Sequence, residues 1–188
     1  MNKLFNEKTA LLIIDMQKAF VEPGAAHEIA GAKATVPACS EVIRQARECG
    51  APVFWIKRQY RSDGSDVEFT RKDAWLAGGR TMAPGSCGVN SEELAEGLTA
   101  EPSDYQIIKP RWSAFFQTEL DLILRRLCVT TVVLIGTTTP NCIRTTCYDA
   151  IALDYRTVII EKCCSSQTDQ IQKANMEDME RIGAEIIW

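Results

Sequence analysis

The segment Val132-Val133-Leu134-Ile135-Gly136-Thr137-Thr138-Thr139-Pro140-Asn141-Cys142 joins an apolar run to a turn and then to the start of a helix. The run from Thr130 to Ile135 does not alternate apolar and polar residues, which is typical of a strand buried on both faces of a parallel sheet. Gly136 ends this strand and allows a sharp turn, because glycine has no Cβ. Cys142 then falls near the start of a helix predicted over 141–153. This strand–turn–helix unit predicts an α/β fold.

The rest of the chain alternates strands and helices in the same way. Short apolar runs predict strands over 9–14, 52–56, 105–108, 130–135, 156–161 and 184–188. Apolar residues at helical spacing predict helices over 39–49, 118–127, 141–153 and 168–182, with a further short helix beginning at Ser91. Residues 61–90 are rich in Gly, Ser, Asp and Arg and predict a long loop or lid. Together these elements predict a parallel sheet covered by helices on both faces.

Length, charge and hydropathy exclude several classes of protein. A chain of 188 residues is predicted to form one domain over 1–188, with a core large enough to fold without disulfide bonds. Its 21 basic and 25 acidic side chains give a net charge of -4, which argues against a nucleic-acid partner. The longest apolar runs are far shorter than the ~20 residues that span a membrane. Because the segment from Met1 to Glu7 is not an apolar signal segment, we expect a cytoplasmic protein.

The cysteines and the single histidine narrow the possible chemistry. Eight cysteines occur without any Cys-x-x-Cys pair, so we expect free thiols rather than disulfide bonds or a zinc site. Cys128, Cys147 and Cys163 are expected in the core, with Cys163 and Cys164 on opposite faces of a strand. The one histidine, His27, lies in a loop-like stretch and is interpreted as a residue without a chemical role. A metal site that needs two or three histidines is excluded.

Three predicted strands lead into residues with reactive side chains: Asp15, Lys109 and, after a turn, Cys142. The carboxyl ends of parallel strands share one edge of the sheet, where ligands bind. The pKa of Cys142 is expected to be lowered by the helix start and by the nearby lysine, so that Cys142 is the thiol alkylated fastest at neutral pH. A carboxylate can accept the thiol proton, and an ammonium group can stabilise the resulting anions. The set predicts nucleophilic catalysis without histidine, although each residue alone also fits a turn, surface or core position.

Three motifs, Leu11–Phe20 (LLIIDMQKAF), Ile108–Phe115 (IKPRWSAF) and Gly136–Cys142 (GTTTPNC), resemble those of the isochorismatase-like cysteine hydrolases. The order of the motifs and the spacing between them also match. The resemblance covers nearly the whole chain and is weakest over residues 61–100. It implies a Rossmann-like three-layer α/β/α fold with a mostly parallel sheet. Since members of the family usually assemble as homo-oligomers, it also implies a dimer or tetramer for this chain.

The resemblance also implies roles for particular residues. Asp15, Lys109 and Cys142 would form a catalytic triad. A cis peptide bond before Thr138 would turn the N–H of Thr138 towards the N–H of Cys142, so that the two form an oxyanion hole. The substrate-binding residues that it implies are Phe20 and Trp112.

Two departures from the superfamily pattern narrow the activity. Nicotinamidases of this superfamily bind a metal through an Asp-x-His motif and a further histidine, which this sequence lacks, so we expect neither a metal nor another cofactor. True isochorismatases cleave a vinyl ether and lack the nucleophilic cysteine. The resemblance therefore favours a hydrolase that cleaves an amide-type C–N bond of a small molecule through a thioester, with residues 109–115 closest to enzymes that act on ureido or carbamoyl amides. The alternatives are an ether hydrolase and a non-catalytic protein of the same fold that binds a small molecule.

Three lysines are predicted to follow strands, so the effects of replacing them can be compared. Lys109 is expected to lie at the end of the sheet and to contribute little to core packing, so that its replacement would spare the fold. Lys57 and Lys162 are also expected to follow strands and to tolerate the same replacement.

Overall fold

The computed structural model describes residues 4–188 and contains one sheet of six parallel strands. The strands follow the spatial order β3-β2-β1-β4-β5-β6. Their bounds are β1 Thr9–Ile14, β2 Val53–Arg58, β3 Tyr105–Lys109, β4 Thr131–Thr137, β5 Arg156–Ser165 and β6 Glu185–Ile187. The α/β fold with a parallel sheet, predicted from the unalternating apolar runs, is confirmed.

The helices cover both faces of this sheet, which gives three layers. Their bounds are α1 Lys18–Val21, α2 Ala32–Glu48, α3 Lys72–Ala77, α4 Leu120–Arg126, α5 Arg144–Ala152 and α6 Asp169–Arg181. Helix α2 packs on one face, where Leu11 and Ile13 of β1 point. Helices α4, α5 and α6 pack on the other face, against Ala10, Leu12 and Ile14. Successive residues of β1 are therefore buried on opposite sides, as the lack of alternation predicts.

The order of the strands reverses between β1 and β4. From β1 the chain builds outward through β2 to β3, and it then returns to place β4 on the other side of β1. In open α/β sheets a crevice forms at such a reversal, beyond the carboxyl ends of the strands. Asp15 follows β1 directly, and the turn that leads to Cys142 follows β4. The topology thus brings these two residues to the carboxyl edge of the sheet, close to the crevice where a ligand is expected to bind.

The predicted helix over 39–49 begins seven residues earlier than expected, at Ala32. Pro37 lies inside the helix, and a proline is usually a signal that a helix begins or ends nearby. Here the apolar face continues on both sides of the proline, because Ala32 and Val36 are buried against the sheet together with Cys39 and Val42. Tertiary burial outweighs the hydrogen bond that Pro37 cannot donate.

The short helix predicted from Ser91 does not form, and that prediction is wrong. Ser91 ends a 3-10 turn over Gly88–Asn90 and is completely buried. The following residues run beside the start of α1, where the N–H of Lys18 donates to the carbonyl of Glu93 (2.8 Å). Leu94 forms an isolated antiparallel bridge with Gln17. Their backbone groups therefore bond to the segment after β1 instead of forming a helix.

Residues 61–90, predicted as a long loop or lid, contain α3 and the 3-10 turn and are largely irregular elsewhere. The segment packs on a small apolar cluster of its own beside β2. The members of this cluster are Ala19, Tyr60, Val67, Trp75, Met82 and Ala83. It therefore forms a structured wall next to the carboxyl ends of β1 and β2.

The eight cysteines are all free thiols, and five of them are buried. Cys147 and Cys163 lie in the core as expected, and Cys163 and Cys164 point into the cores on opposite faces of the sheet. The prediction for Cys128 is wrong, because this residue is exposed. It follows α4 with a positive φ of 56°, and this turn conformation directs the chain towards β4 while its side chain stays at the surface.

None of the helices within residues 4–188 combines the length and apolar character that crossing a bilayer requires.

Among the glycines of the described residues, Gly136 lies closest to the backbone of a neighbouring strand. Its φ is 118°, and a Cβ at this position would lie 2.1 Å from the carbonyl oxygen of Ile14. We expect Gly136→Ala to lower the free energy of unfolding by roughly 3 kcal/mol or more, because a steric clash adds to backbone strain. Urea unfolding of the purified variant measures this loss.

Gly50→Ala is the matched control for this variant. Gly50 also has a positive φ, 70°, but no atom lies within 4 Å of the position that its Cβ would occupy. The expected loss is about 1–2 kcal/mol, from backbone conformation alone. Equal losses in the two variants would show that the contact with Ile14 is unimportant.

Candidate active site

Asp15, Lys109 and Cys142 meet in one buried cluster at the carboxyl edge of the sheet. The Nζ of Lys109 donates to Asp15 Oδ2 at 2.8 Å and lies 3.4 Å from Cys142 Sγ. The side chains of Lys109 and Asp15 are 0% and 1% exposed, and Cys142 is buried as well. Three residues that are far apart in the sequence therefore form an ammonium–carboxylate–thiol arrangement, as their positions at strand ends predict.

Asp15 and Lys109 are each positioned by the end of a strand. Asp15 adopts a positive φ of 51° directly after β1, and its backbone N–H donates to the carbonyl of Ile56 at 2.9 Å. Lys109 is the last residue of β3, two strands away from β1, and its long side chain reaches across to the carboxylate. Its Nζ also donates to the carbonyl of Arg111 at 3.1 Å.

Lys109 differs from the prediction in one respect. It was expected to contribute little to packing, but it is among the largest fully buried side chains of the chain. Lys57 and Lys162 do not follow strands, because β2 and β5 continue beyond them to Arg58 and Ser165. Lys57 is half-buried and Lys162 is exposed. The three lysines therefore occupy different environments.

Cys142 lies in a turn of π-helix over Thr139–Ile143, which leads into α5. The peptide bond between Thr137 and Thr138 is cis, as the family resemblance implies. The hydroxyls of Thr138 and Thr139 both donate to the carbonyl of Ser165, at 3.2 and 3.1 Å. These bonds tie the turn after β4 to the end of β5, so that Cys142 is held at a fixed position above the sheet.

The pKa of the Cys142 thiol is raised to about 12. Burial is the largest cause and the negative charge of Asp15 adds to it, while the positive charges of Lys109 and Arg58 act in the opposite direction. The expectation of a lowered pKa is therefore wrong for this structure. A helix start and one lysine do not compensate for the removal of the sulfur from water beside a carboxylate. The sulfur of the resting site is a neutral thiol at pH 7.

A cavity of ≈ 290 Å³ opens above the cluster. Asp15 and Cys142 reach it from below, and Thr138 lies beside them. Phe20 and Trp112, the predicted substrate-binding residues, both line it. Every predicted site residue except the deeper Lys109 thus contributes to the surface of one small cavity.

The structure adds a buried polar cluster that the sequence reasoning missed. Arg58 is 3% exposed, forms an ion pair with Glu68 and donates to the hydroxyl oxygen of Tyr60 at 2.7 Å. The hydroxyl of Tyr60 donates in turn to Glu68 Oε2 at 2.7 Å. The available signal was the position of Arg58 at a strand end, but the predicted strand stopped two residues too early, at Ile56.

Arg71 was also missed, since it lies in the long segment where the sequence is least informative. Its guanidinium carbon lies 5.2 Å from the centre of the Trp112 ring, and that of Arg58 lies 5.7 Å from the same ring. Both arginines line the cavity. Both cations therefore lie within cation–π distance of the Trp112 ring.

His27, interpreted as a loop residue without a chemical role, also lines the cavity. Its Nε2 lies 3.0 Å from the hydroxyl of Thr81, and its ring centre lies 6.0 Å from that of Phe20. Partial removal of the ring from water and the positive charges of Arg71 and Arg58 lower the pKa of His27, while the charge of Glu68 acts in the opposite direction. His27 is therefore neutral near pH 7 and carries no charge into the cavity.

A metal centre of the nicotinamidase type does not fit the residues around the cavity. His27 is the one histidine of the chain, and Asp15 Oδ2 already accepts a hydrogen bond from Lys109. Across the described part of the chain, no three His, Cys, Asp or Glu side chains are grouped so that they could hold a metal ion.

The family model described as the isochorismatase domain matches residues 9–187. The chain belongs to the isochorismatase family. Its similarity to a solved isochorismatase family protein from Desulfovibrio vulgaris covers 96% of this chain and 94% of the other, with 40% identity and a TM-score of 0.91. The family resemblance and the fold that it implies are thereby confirmed.

Two relatives within the isochorismatase family carry names that indicate different activities. A probable inactive nicotinamidase from Arabidopsis thaliana is 42% identical over 93% of this chain and 89% of the relative. A ureidoacrylate amidohydrolase from Azorhizobium caulinodans is 28% identical over 93% of this chain and 84% of the relative. This isochorismatase-family chain is therefore similar both to an amidohydrolase and to a relative named as a probable inactive nicotinamidase.

The thiols of this isochorismatase-family protein should react with iodoacetamide in a defined order. At pH 7 the exposed Cys87 and Cys128 should be alkylated before Cys142, because Cys142 is buried and mostly protonated. The labelling rate of Cys142 should rise about tenfold per pH unit between pH 7 and 9, since the thiolate is the reactive form. Peptide mapping by mass spectrometry follows each thiol separately. If Cys142 were labelled first at pH 7, its resting state would be the thiolate.

Proposed function

We propose that this protein is a cysteine-dependent hydrolase that cleaves an amide-type C–N bond of a small molecule through a thioester intermediate. The observation that carries the proposal is the position of Lys109 Nζ, 2.8 Å from Asp15 Oδ2 and 3.4 Å from Cys142 Sγ. A base, a nucleophile and a buried cation thus lie beneath a cavity large enough for a small substrate.

The first half of the reaction forms the thioester. Asp15 Oδ1 is buried and has no hydrogen-bond partner among the described residues, so it is available to accept the proton of the Cys142 thiol. As the proton leaves, the sulfur attacks the carbonyl carbon of the amide. The N–H groups of Thr138 and Cys142 are proposed to bind the oxyanion.

The second half of the reaction releases the amine and the acid. Asp15 returns the proton to the leaving nitrogen, the C–N bond breaks, and ammonia or an amine departs. A water molecule then attacks the thioester while Asp15 accepts one of its protons. Collapse of this second intermediate gives a carboxylic acid and restores the Cys142 thiol. One amide and one water are consumed for each acid and amine formed.

Lys109 is proposed to make these steps compatible with a buried site. A carboxylate and a thiolate close together in a medium of low polarity repel each other strongly. The ammonium group lies within 3.4 Å of both side chains, so it balances the negative charge wherever the proton is. Because the resting pKa of Cys142 is raised, the thiolate forms only as the proton moves to Asp15.

A second candidate is a protein that binds a small molecule without turning it over. The observation in its favour is the similarity to a relative named as a probable inactive nicotinamidase. In this case the cavity and the ion pair would be retained, and no acyl group would appear on the sulfur.

The covalent mechanism can be tested by trapping the acyl group on Cys142. Incubation with a panel of primary amides and N-carbamoyl compounds, followed by acid quenching and peptide mapping, should show the acyl mass on the peptide that contains Cys142. Cys142→Ser should lower turnover by several orders of magnitude and abolish the adduct, since an alcohol is a much weaker nucleophile than a thiol. Wild-type turnover in Cys142→Ser would contradict the mechanism, and an absence of turnover and adduct across the panel would favour the binding protein.

Replacement of Lys109 should affect both stability and turnover. Lys109→Met leaves the Asp15 carboxylate buried without its cation, which should lower the free energy of unfolding by about 3–5 kcal/mol. The double variant Asp15→Asn with Lys109→Met removes both charges and should recover most of this loss. Both variants should lose at least about 10²–10³-fold in turnover, because the charge arrangement is gone. Urea unfolding and a steady-state assay measure the two effects separately.

Lys57→Met and Lys162→Met are the controls for this experiment. Neither lysine lines the cavity, and each is at least partly in solvent, so we expect changes within about 0.5 kcal/mol and normal turnover. Equal effects at all three lysines would show that Lys109 has no special role in the reaction.

A further inference from the structure

A second cavity, of ≈ 390 Å³, lies next to the cavity above Cys142. The two cavities share four lining residues, Ala26, His27, Tyr60 and Arg71. A molecule bound above Cys142 therefore has only to pass these shared side chains to enter the second cavity. The mechanism proposed above uses the first cavity and leaves the second without a role.

The walls that the second cavity does not share with the first come from the segment around α3. Val67, Ala74 and Trp75 contribute carbon surface to these walls. The ring of Trp75 packs edge-on to that of Tyr60, with 6.0 Å between the ring centres. A Cβ at Gly64 would lie 2.6 Å from the Trp75 ring, so the chain packs tightly on that side as well. Trp75 is thus a fixed part of the wall.

The uncharged polar side chains around the second cavity already have hydrogen-bond partners within the protein. The indole N–H of Trp75 donates to the carbonyl of Thr81 at 2.8 Å, and the hydroxyl of Tyr60 donates to Glu68 Oε2 at 2.7 Å. The Nε2 atom of neutral His27 lies 3.0 Å from the hydroxyl of Thr81. The surface that remains for a ligand is mostly carbon, and an apolar group covers such a surface best because its burial removes hydrocarbon from water.

We propose that the second cavity binds an apolar group of the substrate, so that this protein acts on amides that carry a hydrocarbon chain. The identity of the occupant as a substrate rests on the proposed function, whereas the binding of an apolar group in the second cavity does not. The amide lies above Cys142 in the first cavity, and the chain passes His27 and Tyr60 into the second. Each methylene buried there adds to the affinity without a new hydrogen bond.

NMR titration of Cys142→Ala measures this binding without turnover. Two series of ligands are compared: primary amides from acetamide to octanamide, and N-alkylacetamides from N-methylacetamide to N-hexylacetamide. In at least one series the affinity should rise by up to about fourfold for each methylene that enters the second cavity. The series that shows the rise identifies whether the chain belongs to the acid or to the amine. No rise of affinity with chain length in either series, or no binding of any of the amides, would overturn the proposal.

The indole N–H signals show where the chain lies, once Trp→Phe variants have assigned them. Trp112 lines the first cavity, and Trp75 lines the second. Short amides should therefore shift the signal of Trp112, whereas long amides should shift the signals of both. Trp55 is the internal control, because it is buried and its indole N–H donates to Asp104. A long amide that shifts the signal of Trp112 alone would place the chain outside the second cavity and overturn the proposal.

Ala74→Leu in the same background fills the second cavity from the side of α3, because Ala74 is an exposed residue of this helix that lines the cavity. The rise of affinity with chain length should be lost in this variant, and the shift of the Trp112 signal by acetamide reports that the first cavity is intact. Ala77→Leu is the matched control, since Ala77 is also exposed on α3 but does not line either cavity. Equal effects of Ala74→Leu and Ala77→Leu would overturn the proposal.

Kinetics with the intact thiol separate this inference from the proposed function. Long amides should have a lower KM than short ones and a similar kcat, because the chain does not touch the reacting atoms. Turnover with a KM that does not depend on chain length would support the hydrolase and overturn the role of the second cavity. Binding that tightens with chain length, without any turnover, would support the second cavity and contradict the hydrolase.

Discussion

A lysine and an aspartate buried together at the carboxyl edge of the sheet set the constraint on which the rest of the site depends. A charged side chain removed from water is costly unless a partner of opposite charge and further hydrogen bonds compensate it. Lys109 and Asp15 compensate each other at 2.8 Å, and the carbonyl of Arg111 accepts a further bond from the ammonium. This pairing requires the ends of β1 and β3 to be held at a fixed separation by β2 between them. The parallel sheet provides that separation through its regular spacing.

Cys142, the third member of the cluster, is also removed from water. Without solvent, and beside a carboxylate, the Cys142 thiol keeps its proton, so the resting cluster contains one positive charge, one negative charge and a neutral sulfur. This state balances the charges without a ligand. In the mechanism that we propose, the proton transfer to Asp15 keeps the same balance, since one anion is exchanged for another beside an unchanged cation. The raised pKa of the thiol is therefore compatible with nucleophilic catalysis as long as the base is within reach.

The walls of the cavity come from different parts of the fold than its floor. The floor consists of side chains at strand ends, whose positions follow from the topology. The walls come largely from loops, which carry Arg71 and Trp112, while Arg58 is the last residue of β2. The guanidinium carbons of Arg71 and Arg58 lie 5.2 and 5.7 Å from the centre of the Trp112 ring. Arg58 forms an ion pair with Glu68 within the protein, and Arg71 lines the same cavity. A scaffold of this kind can keep its chemistry while the loops decide which molecule is accepted.

The parallel α/β fold could be predicted from the sequence, because apolar runs without alternation are typical of a sheet buried on both faces. It also placed Asp15 and Lys109 at strand ends and Cys142 in the turn that follows another strand, and its three motifs carried the resemblance to the isochorismatase family. The folded structure was needed to reveal the burial of Lys109, the raised pKa of Cys142, and the positions of Arg58 and Arg71 near Trp112. Periodicity and turn residues are local signals and are read along the chain. Burial, pKa and cation stacking depend on groups that are distant in sequence, and the long segment over 61–90 has no local pattern that shows which of its side chains faces the cavity.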